Sequence, residues 1–124
     1  MLTTTILPKR ALSNIELKKY VKLYSIKYFR NVFMQDALPF KISRQNECGI
    51  INLDRNDGPG THWVAYRKTK NVIKYFDPAG NLAPPPKIVE YFHSRGPVNI
   101  SYNYNQRQYK TYNCGHLCLE FLLT

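Results

Sequence analysis

Apolar positions along this 124-residue chain fall into short runs whose spacing changes from segment to segment. Between residues 13 and 24, Ile15, Leu17, Tyr20, Val21 and Tyr24 recur at helical intervals, with Lys18, Lys19 and Lys22 mostly between them. Ser13 heads that run and Glu16 follows three residues on. The two form a capping box that satisfies two orphan backbone donors, so the pattern predicts a helix over 13–24. Ile26 to Leu38 is rich in aromatics, has no clean period and ends at Pro39. It reads as a second short helix or an irregular core segment. Cys48 to Leu53 reads as a buried strand, and Asp54 to Thr61, holding Asp57-Gly58-Pro59-Gly60, as a loop. His62–Arg67 and Val72–Phe76 read as two further strands joined by a tight turn near Thr69-Lys70. Asp77-Pro78-Ala79-Gly80 breaks the second of them, and Pro84-Pro85-Pro86 makes a stiff connector. Lys87–Ser94 then reads as a short helix, because proline suits a helix start. Val98–Tyr102 alternates like a strand, Asn103–Asn113 is a polar, tyrosine-rich loop, and Cys114–Leu123 is an apolar, buried helix. No repeat or internal boundary shows. The expected organisation is a polar leader over 1–12 and one α+β domain over 13–124, a small antiparallel sheet flanked by helices.

Composition narrows the function classes. With 44% apolar residues and 14% aromatics the chain buries a real core, which argues against wholesale disorder. No run of about 18 apolar residues is present, so no membrane-spanning helix is expected, and the N-terminus lacks the basic start and apolar core of a signal peptide. Three cysteines are odd in number and too few for a disulfide framework. The expected setting is a reducing, intracellular one. Eighteen Lys and Arg against eight Asp and Glu give a net charge of +10. That balance suits contact with a polyanion, but it equally suits mere solubility, because the charges are scattered without a run of five or six.

The residues that carry chemistry begin at Cys114, where a polar loop gives way to an apolar helix. A thiol at a helix N-terminus meets the positive end of the macrodipole and its pKa falls. The competing reading is a core cysteine. Gly115 next to it lets a substrate approach the backbone. A nucleophilic cysteine wants a histidine base. His116 is two residues on and points to the other side of a helix, and His93 sits at the end of a short helix and is expected to be solvated. His62, opening a strand after a Gly-Pro-Gly loop, remains. If Thr69 and Lys70 are the hairpin's turn residues, Lys68 faces Asn71 and, counting outward, His62 faces Asp77. Directly opposed residues have Cβ atoms about 4.5–5.5 Å apart, so Asp77 would orient the base. Asp before Pro is also a common turn starter.

Two further patterns compete for a role. Cys114, His116 and Cys118 suggest zinc, but His116 leaves the face the two cysteines share, and structural zinc wants four ligands. With Cys48 the only other thiol, no metal site is expected. Tyr102, Tyr104, Tyr109 and Tyr112, with Arg107 and Lys110, suit stacking on single-stranded nucleic acid, or a loop packed on its own rings.

The order of three strings is more specific than any one of them: Gly60-Thr61-His62-Trp63-Val64-Ala65-Tyr66, then Tyr75-Phe76-Asp77-Pro78-Ala79-Gly80, then Gln108 and Asn113-Cys114-Gly115-His116-Leu117-Cys118. His-Trp, acid, Gln and Cys-Gly in this order resemble the adenovirus-type (adenain-like) cysteine proteases and the related SUMO proteases. The nearest resemblance is to adenain-like proteases of Maverick/Polinton elements and adintovirus-like viruses. It runs from about Leu12 to the end and includes Phe29-Arg30-Asn31-Val32-Phe33-Met34. The resemblance implies a compact cysteine-protease fold in which His62 is the general base, Asp77 its orienter and Cys114 the nucleophile. Gln108, six residues before the cysteine, would complete an oxyanion hole with the Cys114 N–H, with Gln106 as its competitor. Trp63 would pack beside the site and wall the substrate groove. The resemblance further implies protein substrates: capsid precursors cut after small residues such as glycine, or ubiquitin-like tails. It implies action in the nucleus or virion and no required cofactor. No cysteine lies between Asp77 and Cys114 to tether a peptide cofactor, so no covalently attached one is expected; the +10 charge leaves non-covalent activation by DNA open. The alternative from a different class is a basic nucleic-acid-binding module on an inactivated protease scaffold.

Overall fold

The fold was analysed as a computed structural model that describes residues 7–38, 42–53, 62–106 and 112–124. The loop expected over Asp54–Thr61 lies outside these residues, as do Arg107, Gln108, Tyr109 and Lys110. Helix α1 (Asn14–Leu23) starts where its capping box places it. Ser13 Oγ accepts from Glu16 N at 3.2 Å, and Glu16 Oε1 accepts from Ser13 N at 3.1 Å. Strands β1 (Phe29–Met34), β2 (Asn46–Asn52), β3 (Trp63–Thr69), β4 (Val72–Phe76) and β5 (Asn99–Tyr102) form one sheet in chain order. Helix α2 (Pro86–Phe92) lies between β4 and β5 in sequence, and α3 (Cys114–Leu122) closes the chain.

Alternation along the strands divides the core in two. Cys48, Ile50, Trp63, Ala65 and Phe76 face one side, where Leu17, Tyr20 and Val21 of α1 and Cys118, Leu119 and Leu122 of α3 cover them. Ile51, Val64, Tyr66, Ile73 and Tyr75 face the other side, against Ile88, Tyr91 and Phe92 of α2. With both faces covered, nearly all of β2 is buried, which is why it reads as a continuous apolar run.

The sheet is mixed rather than antiparallel. β2, β3 and β4 are antiparallel, but β1 runs parallel to β2 and β5 parallel to β4. The reason lies in the connections. Only β3 and β4 are joined by a tight hairpin; β4 reaches β5 through the α2 crossover, which returns the chain in the same direction. Residues 29–34 form an edge strand where a helix or irregular segment was expected. A register irregularity between Phe29 and Val32 breaks the period of two. Phe29 and Val32 then turn to the α1/α3 side while Arg30 and Phe33 turn to the α2 side. That spacing of three imitates a helix in the sequence.

The β3–β4 turn is Lys70-Asn71, not Thr69-Lys70: Thr69 pairs with Val72. Lys70 takes a positive φ of 56°, the geometry a tight primed hairpin needs at its first corner. Ala65 faces Phe76, so one step further Asp77 stands opposite Val64, and His62 is its diagonal neighbour rather than its direct partner. The shift is by two positions, which keeps both residues on one face of the pleat; a shift by one would have separated them.

Candidate active site

Three element ends meet at one edge of the sheet. His62 immediately precedes β3, Asp77 immediately follows β4, and Cys114 is the first residue of α3, which packs on β3. His62 Nε2 lies 2.9 Å from Asp77 Oδ1, with the Asp77 side chain 1% exposed and the His62 side chain 26% exposed. The Cys114 thiol hydrogen-bonds the same imidazole, which leaves Nδ1 as the nitrogen turned to sulfur. The Trp63 backbone N–H donates to Cys114 Sγ at 3.4 Å. The three residues singled out for nucleophile, base and orienter are therefore in one hydrogen-bonded line.

Electrostatics favour a charged imidazole. The His62 pKa is pushed up to about 10, first by the hydrogen bond to Asp77 and second by that to Cys114, while partial burial pulls it down. At neutral pH the ring is an imidazolium between a carboxylate and a thiol. The Cys114 sulfur thus faces this imidazole and a backbone donor at the N-terminus of α3. The other two thiols meet the opposite conditions. Burial pushes Cys48 up to about 11, and its Sγ bonds the Lys27 carbonyl at 3.3 Å; burial also raises Cys118, deep under α3, well above the usual thiol range.

Asp77 is held from behind by a residue that sequence reasoning did not single out. Asn103 Oδ1 accepts from Asp77 N at 2.9 Å, and Asn103 Nδ2 donates to Asp77 O at 2.7 Å. Asp77 Oδ1 also accepts from Ala79 N at 2.9 Å, and Gly80 N closes the turn on Asp77 O. Asn103 follows β5 directly, and β5 lies parallel to β4, so the pair is a product of the crossover. In sequence Asn103 is one of several asparagines in a polar run and carries no distinguishing signal. Gly80 has φ 79°, and a Cβ there would come within 2.5 Å of Gln106 N and 2.6 Å of Asn105 C. Glycine is required for the 105–106 backbone to pass so close to the acid's turn.

The far side of Cys114 is closed by the segment before α1. Leu12 is buried, and its carbonyl accepts from Trp63 Nε1 at 3.1 Å. Trp63 is 4% exposed and belongs to the α1/α3 core. A Cβ on Gly115 would meet Leu17, Trp63 and Leu12 at 3.3–3.5 Å, so the missing side chain permits close packing of α3 on this segment. His116 turns away from His62: its Nε2 pairs with the Pro8 carbonyl at 2.7 Å, and its ring meets Tyr112 edge-on. His93 is exposed at the C-terminal cap of α2. Gln106 is exposed. Of the tyrosine cluster, Tyr102 and Tyr104 lie ring against ring at 6.0 Å. Among the described residues no helix is long and apolar enough to cross a membrane.

No protein-family model and no curated protein matches the chain. Solved structures do. The crystal structure of the ASFV pS273R protease is similar with a TM-score of 0.59 at 16% identity, over 93% of this chain and 58% of that one. The SUMO protease Ulp1, with its catalytic cysteine oxidised to a sulfinic acid, is similar with a TM-score of 0.61 at 16% identity, over 94% of this chain and 66% of that one. The α+β fold, which among the described residues is a five-stranded mixed sheet with three α-helices, is therefore one it shares with these cysteine proteases. The chain spans under two thirds of either protein's length.

Proposed function

We propose that the chain is a cysteine endopeptidase in which Cys114 is the nucleophile, His62 the general base and acid, and Asp77 the group that orients His62. One observation carries the reading: a single imidazole bonded on one nitrogen to a buried carboxylate and turned by the other to a thiol at a helix N-terminus. The chemistry follows from the order of the line. The thiolate attacks a substrate carbonyl carbon, and the oxygen takes the negative charge. Collapse breaks the C–N bond, His62 passes its proton to the leaving amine, and a thioester to Cys114 remains. His62, now neutral, takes a proton from water as that water attacks the thioester; collapse breaks the C–S bond, releases the acid and restores the thiolate beside the imidazolium. The oxyanion is met by the Cys114 backbone N–H and by the side-chain amide of Gln108, with Gln106 as the competing donor.

For substrates, we favour virion precursor proteins cut after small residues such as glycine, over ubiquitin-like tails. The adenain-like order of His62-Trp63, Asp77, Gln108 and Cys114-Gly115 supports that preference. The +10 charge supports DNA as a secondary contact. The test is co-expression of the chain and of its Cys114→Ala form with capsid precursors and with SUMO-like fusions. Cleavage of the precursors by the parent and not by Cys114→Ala is expected. Cleavage of the fusions alone reverses the substrate ranking. Absence of cleavage, together with a Cys114 that reacts with iodoacetamide no faster than a model thiol, returns the chain to the non-catalytic, nucleic-acid-binding reading.

A further inference from the structure

A basic cleft lies at the other end of β3 from His62. It has a volume of about 590 Å³ and is lined by Gln45, Lys68, Lys70, Asn71, Arg95 and Gly96, with no acidic side chain among its lining residues. Lys70 and Arg95 are exposed, but Lys68 is only 3% exposed although it faces the cleft. Its ammonium has three donors, and among the described residues one hydrogen bond engages it, to Ser43 Oγ at 3.0 Å. The cross-strand partner of Lys68 is Glu47, which does not take up the remainder. Glu47 spends its oxygens on Arg30, the Arg44 N–H, Tyr66 and Tyr91.

The cleft therefore holds a nearly buried cation with unspent donors and two more cations at its rim. Burial and the nearby Arg95 lower the pKa of Lys68, while Glu47 partly offsets them; an anion in the cleft would remove that penalty. Ser43, which carries Lys68, is itself fixed. It is 1% exposed, its N–H donates to Ser94 Oγ at 2.8 Å, and Arg95 reaches its carbonyl at 3.5 Å. Gly96, at φ 142°, has no atom within 4 Å of where a Cβ would stand, so the wall there is open. The volume exceeds what a single small oxyanion fills and lies in the range of small-molecule sites.

We infer that this cleft binds a small molecule carrying two or more phosphoryl groups, with Lys68 as the buried anchor and Lys70 and Arg95 as the closing cations. The inference rests on the β3 end alone and is independent of the protease reading. The test is calorimetric titration of the intact chain with inorganic tripolyphosphate at fixed ionic strength. Saturable one-to-one binding with a Kd near or below about 0.1 mM is expected. Lys68→Met/Arg95→Ala should weaken it by about tenfold or more, whereas Lys18→Ala/Lys22→Ala, which removes the same charge from α1, should change it less than about twofold. Lys70→Ala/Arg95→Ala alters only exposed side chains and must also lose about tenfold, so the test survives if the Lys68 variant does not fold. Binding that does not saturate, or an equal loss in the α1 variant, would overturn the site in favour of diffuse attraction by a basic protein. Citrate binding as tightly as tripolyphosphate would overturn the phosphoryl preference.

Discussion

Among the described residues two carboxylates are buried, Glu47 and Asp77, and they do different things. Glu47, 0% exposed on the α2 side of the sheet, accepts from Arg30 at 3.1 Å, from the Arg44 N–H at 2.6 Å, and from the Tyr66 and Tyr91 hydroxyls. Arg30 adds bonds to Tyr91 and to the Ile42 carbonyl. The cluster ties β1, β2, β3, α2 and the 42–44 segment together, and its hydrogen bonds are spent within the scaffold. Asp77, 1% exposed, is held as firmly by Asn103 and Ala79, but its line does not end: it runs through His62 to the Cys114 sulfur, beside a partly exposed imidazole. Burial of a charge is thus no marker of function by itself. What separates the two is whether the hydrogen bonds are spent on the scaffold or passed to a group that can react.

Substitution at each acid should separate the two roles. Asp77→Asn keeps the shape but leaves His62 without its anion, and peptidase activity should fall about 10²–10⁴-fold while the fold persists. If kcat/KM on a cleaved precursor is unchanged, Asp77 is structural like Glu47 and the contrast fails. Glu47→Ala should do the reverse. Stripping the partner from Arg30 and two tyrosines should cost about 3–5 kcal/mol of stability, read by urea unfolding, with activity per folded molecule retained.

A smaller effect sharpens the comparison through pH. The folded pKa of His62 is raised from 6.5 to about 10, so protonation of this ring stabilises the fold. That contribution is complete below about pH 6.5 and is lost as pH climbs through about 10. The melting temperature of the parent should therefore decline more steeply over this window than that of Asp77→Asn, where the imidazole lacks its main partner. Parallel curves would show that Asp77 does not hold the charge. The smallest expected change lies outside both clusters. Ser13→Ala removes the α1 cap and should cost about 0.5–2 kcal/mol in urea unfolding, without altering activity or the pH slope.

Local signals made parts of this fold legible. The Ser13/Glu16 box placed the start of α1, β4 has the bounds expected between the tight turn and Asp77-Pro78, and the change from polar loop to apolar run at Cys114 placed the start of α3. The candidate site was legible in outline because its three members sit at element ends flanked by turn residues. β1 was not legible, since its irregularity gives a spacing of three, and its pairing with β2 lies outside any local window. The hairpin register was misplaced by one turn residue, and His62 and Asp77 still meet because the error preserves the pleat's parity.

The sequence by itself determined which residue types stand at the ends of β3, β4 and α3, and so which thiol, imidazole and carboxylate were available to meet. Periodicity and capping are properties of neighbours along the chain, and they need no partner to be read. Only the tertiary structure decided that β5 returns parallel to β4 and brings Asn103 behind Asp77, that Leu12 seats Trp63, and that Lys68 is buried at the edge of an open cleft. Those contacts join residues 26, 51 and 25 positions apart in the chain (Asp77–Asn103, Leu12–Trp63 and Ser43–Lys68). They arise from sheet order and helix packing, which no single segment encodes.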